Sequence, residues 1–343
     1  MAQHFELGLD TFGDVTADAD GKLLPHAQVL RNVVEEAVLA DELGVDFIGV
    51  GEHHRADFAV SSPEVVLAAI AGRTKRIHLG SAVTVLSSDD PIRVFQRFST
   101  LNALSNGRAE VILGRGSFTE SFPLFGFELS QYDTLFEEKL DLFVAVLRQE
   151  AVTWNGTIRP PLKNQRVFPL IETGTLKTWI GVGGSPESVI RAARHDLPLT
   201  LAIIGGDPTR FKPYVDLYHR AYAQLGKPVQ SIAVHSPGHI AETDAQARTE
   251  FYPAYKRMRD KIGGERGWPP LGKGEFEQEV DHGSLYVGSP DTVARKIVAT
   301  AKALGVQRFD MKYSAGPLPH DTMMRSIALY GGKVAPMVRE MLA

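Results

Sequence analysis

Eight times along this chain a short apolar or β-branched run is followed by a stretch of helical character, and no other feature narrows the fold as far. The runs are Phe5–Asp10, Asp46–Val50, Ile77–Val85, Ala109–Gly114, Thr178–Gly183, Leu199–Ile204, Gln230–His235 and Arg308–Tyr313. Short apolar runs set between helical segments read as buried strands of a parallel sheet. Eight such strands with helices between them are the number that closes a barrel. The expected fold is therefore α/β, a TIM-type (β/α)8 barrel, and all 343 residues fit one such domain.

Helix boundaries support the count independently. Ser62-Pro63, Asp90-Pro91, Ser185-Pro186, Asp207-Pro208 and Ser289-Pro290 each follow a strand or its loop. Each joins a side-chain cap to the residue favoured in the first helical position. Gly44, Gly107, Gly226 and Gly305 stand where helices should end. An open doubly wound sheet would use similar elements, but no early G-x-G-x-x-G turn accompanies these strands. One stretch breaks the rhythm: residues 263–283, rich in Gly, Pro and charge, read as a long loop inserted before the last βα unit. Loops of this length in compact domains are commonly lids over an active site.

Lys and Arg total 37 against 41 Asp and Glu, a net charge of -4, so no broad basic field draws in nucleic acid or anionic lipid. A small molecule is the expected partner. The chain has no cysteine, which removes disulfides, thiolate nucleophiles and cysteine-ligated metals. No apolar run reaches the ~18 residues of a membrane-spanning helix, and the first ten residues lack the pattern of a secretory signal, so a cytoplasmic location is expected.

In such a barrel the reacting groups gather after the strands. The second strand leads into Glu52-His53-His54, two imidazoles and a carboxylate at the catalytic face. Imidazoles exchange protons near neutral pH or ligate metals. After the fourth strand, Arg115 stands between Gly114 and Gly116, where small neighbours let an anion approach its guanidinium. After the fifth, Gly183-Gly184-Ser185 opens into a helix carrying Ser188, whose free N–H groups suit a phosphate. No Walker-type lysine follows.

Together these segments resemble the luciferase-like flavin monooxygenases over nearly the whole chain. The likeness rests on Glu52-His53-His54 and on the ungapped series Leu79–Leu86, Asp90–Arg93, Ser105–Arg108 and Leu113–Gly116. It implies that His53 takes part in flavin chemistry beside His54. It also implies that Arg115, Ser185 and Ser188 hold the phosphate of FMN. Gly114, Gly183 and Gly184 would line that site. A cis peptide bond between Ala82 and Val83 would lie beneath the flavin ring. The implied activity is oxygenation of a small organic substrate by O2, with reduced FMN delivered by a separate flavin reductase, in a homodimer paired through the apolar helix Val65–Ala71. Where the luciferases carry a cysteine this chain has Gly114, so light emission is not implied.

Three other readings stay open. A deazaflavin-dependent hydride-transfer enzyme belongs to the same superfamily, and a flavin-storing barrel would not turn over. A metal-dependent hydrolase could use His53, His54, His235 and His239 as ligands.

Overall fold

The computed structural model describes residues 4–18 and 20–343. Its strands, in chain order, are β1 (Glu6–Thr11), β2 (Phe47–Val50), β3 (His78–Val85), β4 (Ala109–Gly114), β5 (Val152–Trp154), β6 (Leu162–Gln165), β7 (Lys177–Val182), β8 (Leu199–Ala202), β9 (Ile232–Ile240), β10 (Tyr286–Gly288) and β11 (Arg308–Lys312). Eight of them pair in parallel around a closed ring: β1, β2, β3, β4, β7, β8, β9 and β11, which returns to β1. These are the eight runs that the sequence predicts. Closure rules out the open doubly wound sheet, because each barrel strand has a parallel neighbour on both sides. The additional strands lie outside the ring. β5 and β6 form an antiparallel hairpin between β4 and β7, and β10 pairs with the far end of β9.

All five Ser/Asp-Pro pairs start helices, with proline in the first turn. Asp90, Ser185, Asp207 and Ser289 accept backbone N–H bonds from the turn that follows, whereas Ser62 makes no such bond. Gly226 and Gly305 end their helices in the left-handed conformation, at φ 64° and 68°. The helix Pro63–Ala71 buries Leu67 and Ile70 against the barrel but leaves Val65 70% exposed. No described helix is long and apolar enough to cross a membrane.

The stretch 263–283 is not the loop that its composition predicts. A helix, Asp244–Arg266, runs straight through Gly263 and Gly264, and a second, Lys273–Asp281, follows after six residues. Gly263 is selected by packing: a Cβ there would lie 2.6 Å from the Arg259 guanidinium and 3.3 Å from Trp268 Cβ. Tertiary packing of the same helix, which buries Phe251, Ala254 and Tyr255, has overridden its poor helix propensity.

Candidate active site

Small residues leave room at the C-terminal mouth of the barrel. The peptide bond between Ala82 and Val83 is cis, as the resemblance implied. The pairing of β3 with β4 slips between Ala82 and Thr84, and Val83 projects toward the neighbouring strands. A Cβ on Gly114 would lie 2.5 Å from Val83 Cγ2, and one on Gly181 would lie 3.1 Å from Val83 Cγ1. Gly114 thus makes space for valine where the luciferases carry a thiol. A Cβ on Gly51 would lie 2.4 Å from the Phe12 ring and 3.0 Å from the Ala82 carbonyl, so the exits of β1, β2 and β3 press together.

His53 sits among aromatic rings. Phe12 meets it at 4.7 Å between centroids, Phe58 at 4.5 Å and Phe118 at 5.1 Å. Burial pushes its pKa down to about 3. Asp14 opposes the shift, while Lys312, His54 and Arg55 add to it. The ring is therefore a neutral imidazole near pH 7. His54 points elsewhere: its Nε2 donates to Glu52 Oε1 at 2.9 Å, and its ring packs edge-on against Phe125. The other Glu52 oxygen accepts from the Val85 amide at 2.9 Å, which ties the exit of β2 to that of β3.

The pairing of β4 with β7 brings the Arg115 loop beside the Gly183–Ser188 turn. The Glu187 carboxyl in that turn is lowered by its bond to Ser185, with smaller contributions from Arg115 and Arg191. Arg115 pairs with Asp133 at 2.8 Å, but the Asp133 side chain is 75% exposed, so the pair is held weakly. Open space surrounds the Cβ direction of Gly183, and only the Tyr214 hydroxyl, at 3.7 Å, approaches that of Gly184. Ser185 caps the helix Pro186–Arg194. Ser188 Oγ accepts from the buried Arg191 guanidinium at 3.0 Å, and that guanidinium also pairs with Glu137 at 2.5 Å.

Charged groups within the buried strand runs add to the mouth. The Asp14 carboxylate accepts from Lys312 Nζ at 3.0 Å, from Ser314 Oγ at 2.5 Å and from the Gly316 amide at 2.9 Å. The Lys312 ammonium lies 4.6 Å above the Phe12 ring. Burial alone would raise the Asp14 carboxyl, but Lys312 and these hydrogen bonds hold it below the usual range. Asp10 Oδ2 accepts from His235 Nδ1 at 2.6 Å. Asp10, Asp14 and Lys312 were not singled out as site residues from the sequence. The available signal was a charge inside or just after a strand that must be buried.

The four histidines of the hydrolase reading do not meet. His239 donates to Glu250 at 2.9 Å and stacks on Phe251, His235 is held by Asp10, and His54 is held by Glu52. Among the described residues no three His, Asp or Glu groups converge as metal ligands would.

A latch closes over one side. Arg55, next to the two imidazoles, bonds Glu120 and reaches Glu265 at 2.5 Å, while Lys261 bonds Asp57. Arg266 donates to the Ser117 carbonyl at 3.1 Å and lies 5.1 Å from the Phe118 ring. The C-terminal end of the helix Asp244–Arg266 is thereby fastened to the wall of the His53 pocket.

Comparison with known proteins agrees with this layout. The alkanal monooxygenase alpha chain of Photobacterium leiognathi is 23% identical over 341 residues, 92% of this chain and 95% of its own. A monooxygenase from Streptomyces bottropensis superimposes with a TM-score of 0.83 at 22% identity, over 96% of this chain and 99% of its own. The oxygenating constituent of 3,6-diketocamphane monooxygenase from Pseudomonas putida, a type II Baeyer–Villiger enzyme in complex with FMN, gives 0.77 at 20% identity, over 98% and 99%. A secondary alcohol dehydrogenase in complex with an F420–acetone adduct gives 0.74 at 15%, over 98% and 99%. Likeness at such identities carries the fold alone, but the luciferase-like monooxygenase family itself matches residues 11–308, from the end of β1 to the start of β11. With that span enclosing the imidazole pair, the Ala82–Val83 bond and the Gly183–Ser188 turn, the chain belongs to the luciferase-like monooxygenases, a family of flavin-dependent oxidoreductases.

Proposed function

We propose that this protein is an FMN-dependent monooxygenase that receives reduced FMN from a separate reductase and uses O2 to oxygenate a small organic substrate. One observation carries the reading: a built anion cradle and a neutral, ring-walled imidazole share one barrel mouth. The residues fit the cofactor. Arg115 has only an exposed partner to release, Gly183 and Gly184 leave space for a phosphate to approach the backbone, and Ser185 and Ser188 stand at a helix N-terminus. Arg191, paired with Glu137, fixes the Ser188 hydroxyl from behind.

When bound, reduced FMN supplies the electrons that activate oxygen. The protein's share is to hold, to orient and to exclude water. Arg115 and the two serines would anchor the phosphate. Ala82 and Val83 would offer backbone and a small side chain to the ring system. Phe12, Phe58 and Phe118 wall the half-buried His53 on three sides. His53 itself, being neutral, gives or accepts a hydrogen bond without bringing charge. His54, fixed by Glu52, maintains the spacing between the exits of β2 and β3.

The lid in this reading is the C-terminal end of the helix Asp244–Arg266 with the connection to Lys273, latched through Glu265 and Arg266. Protease cleavage within residues 267–272 should fall when FMN is bound. The functional unit is a homodimer formed through the helix Pro63–Ala71, where Val65 stands exposed. Sedimentation of a monomer at micromolar concentration would contradict that pairing.

The decisive experiment titrates the protein with reduced FMN and, separately, with a reduced deazaflavin, and then supplies O2 and a substrate panel. Tighter binding of FMN and oxygen-dependent product support the reading. Preference for the deazaflavin with hydride transfer to it would replace the oxygenase by a dehydrogenase, and FMN binding without any turnover would leave a storage protein.

A further inference from the structure

Phe12 lies between two imidazoles at the mouth, His53 edge-on at 4.7 Å and His235 parallel to it at 5.9 Å. The two rings have different surroundings. His53 is half-buried, and among the described residues no carboxylate bonds it. His235 donates from Nδ1 to Asp10 at 2.6 Å, and both residues are buried. A carboxylate on Nδ1 fixes the tautomer, leaves the lone pair on Nε2 and stabilises the imidazolium that forms when Nε2 takes a proton. Asp10 Oδ1, on the far side of the pair, is sealed and without a partner among the described residues. His235 Nε2 likewise has no partner among them, but it is not sealed, and 7% of the residue remains accessible.

The placement suits a reacting group. His235 is level with Ala202, the last residue of β8, and Asp10 with Gly49 of β2 and Lys312 of β11. The charged groups on the adjoining strands are otherwise engaged. Lys312 is held by Asp14, and Asp310, level with His235 on β11, receives both its bonds from Arg308. Burial raises the Asp310 carboxyl, with Arg308 opposing and the nearby Asp10 charge reinforcing the shift. Asp10 alone among these groups bonds the imidazole.

We propose that His235, positioned by Asp10, is the general base of this site and takes the proton from an acidic hydroxyl, a phenol or an enol, of a substrate lodged against Phe12. The substrate O–H bond breaks, its electron pair stays on oxygen, and the proton bonds to His235 Nε2. Asp10 balances the new positive charge, and no electron changes hands. The proposal rests on the oxygenase reading, since an ionised phenol or enol presents an electron-rich carbon to oxygenation. The walls match a planar ring: Phe12 and Phe118 both lie about Phe58, at 6.1 and 6.0 Å between centroids.

The test uses 4-nitrophenol, whose ionised form absorbs at longer wavelength than the neutral one. It is titrated into the flavin-free full-length protein at a pH below the probe's own ionisation. Binding with appearance of the phenolate band is expected. His235→Gln should still bind the probe but lower its ionised fraction by about tenfold or more, equivalent to about one pKa unit, and Asp10→Asn should lower it less. No binding, no phenolate band in the wild type, or an unchanged band in His235→Gln overturns the proposal. Should that variant fail to fold, nitrogen-15 NMR of the wild-type histidines decides the matter. An Nδ1–H tautomer at His235 upholds the base, and an Nε2–H tautomer overturns it. FMN affinity measured on the same preparations separates the two readings. Loss of FMN binding with the phenolate band intact defeats the oxygenase, whereas a missing band with FMN affinity intact defeats the base alone.

Discussion

At the N-terminal end of the barrel Arg308 donates to Glu110 at 2.8 Å and to both oxygens of Asp310 at 2.7 and 2.9 Å, with its guanidinium 3.5 Å from the centre of the Phe47 ring. Trp179 adds an indole N–H to Glu110 at 2.9 Å. At the opposite end, glycines and alanine replace Phe47 and Trp179, and His53 and His235 flank Phe12, with the His53 ring nitrogens and His235 Nε2 uncommitted among the described residues and His235 Nδ1 held by Asp10. Both ends bury ionisable groups. One end matches each charge with a counter-charge and fills the space between strands, and the other leaves space and lone pairs. Charges paired in this way stabilise the folded state only while both partners remain, whereas groups left open can act on a ligand.

The largest expected effect tests the closed end. Arg308→Leu strands Asp310 without a cation and leaves Glu110 only Lys177, at 2.9 Å, and should cost about 3–5 kcal/mol in urea unfolding. A loss below about 1 kcal/mol would mean that the ion cluster is not what holds this end. At the mouth, Arg115→Ala should weaken FMN binding by roughly 1.5–3 kcal/mol while unfolding changes by less than about 0.5 kcal/mol, because its present partner is exposed. Unchanged FMN affinity would remove Arg115 from the phosphate site.

Asp14 sharpens the contrast through pH. Its folded carboxyl lies below the ordinary value of 3.8, so its contribution is present above that pH and is lost as pH falls through the folded value. Asp14→Asn should be less stable than wild type by about 1–3 kcal/mol at pH 7, and the gap should begin to narrow as pH falls below about 4. A gap independent of pH would show that Lys312 does not depend on that charge. The smallest effect belongs to His53. Its folded pKa is depressed from 6.5 to about 3, so the stability it contributes is complete above 6.5 and declines as pH falls from there toward 3. At pH 6 the loss from this group should stay below about 1 kcal/mol. Its ring resonances should not titrate between pH 8 and 5, and a titration midpoint near 6 would place His53 in water.

Much of the mouth was legible because a barrel assigns function by position along the chain. Once eight strands are recognised, whatever follows each strand lies at the mouth, and this placed His53, His54, Arg115 and the Gly183–Ser188 turn there, although His54 turns away to Glu52. The stretch 263–283 failed for the converse reason. Gly263 and Gly264 lower helix propensity locally, but the helix that runs through them buries Ala247, Phe251, Ala254 and Tyr255 in the core, and that packing, set by residues distant in the chain, outweighs the local weakness.

Strand count, helix starts, the absence of thiols and the run of small residues around Val83 follow from the sequence by itself, because each depends on residue type and on neighbours a few positions away. Pairing was decided by the tertiary structure. Asp10 meets His235 across 225 positions and Asp14 meets Lys312 across 298. Only closure of the barrel brings β1 beside β11 and aims their side chains into one space. Two histidines that look alike as letters become a neutral ring and a carboxylate-bound one, since burial and hydrogen-bond partners, which set what an imidazole does, are properties of the folded chain.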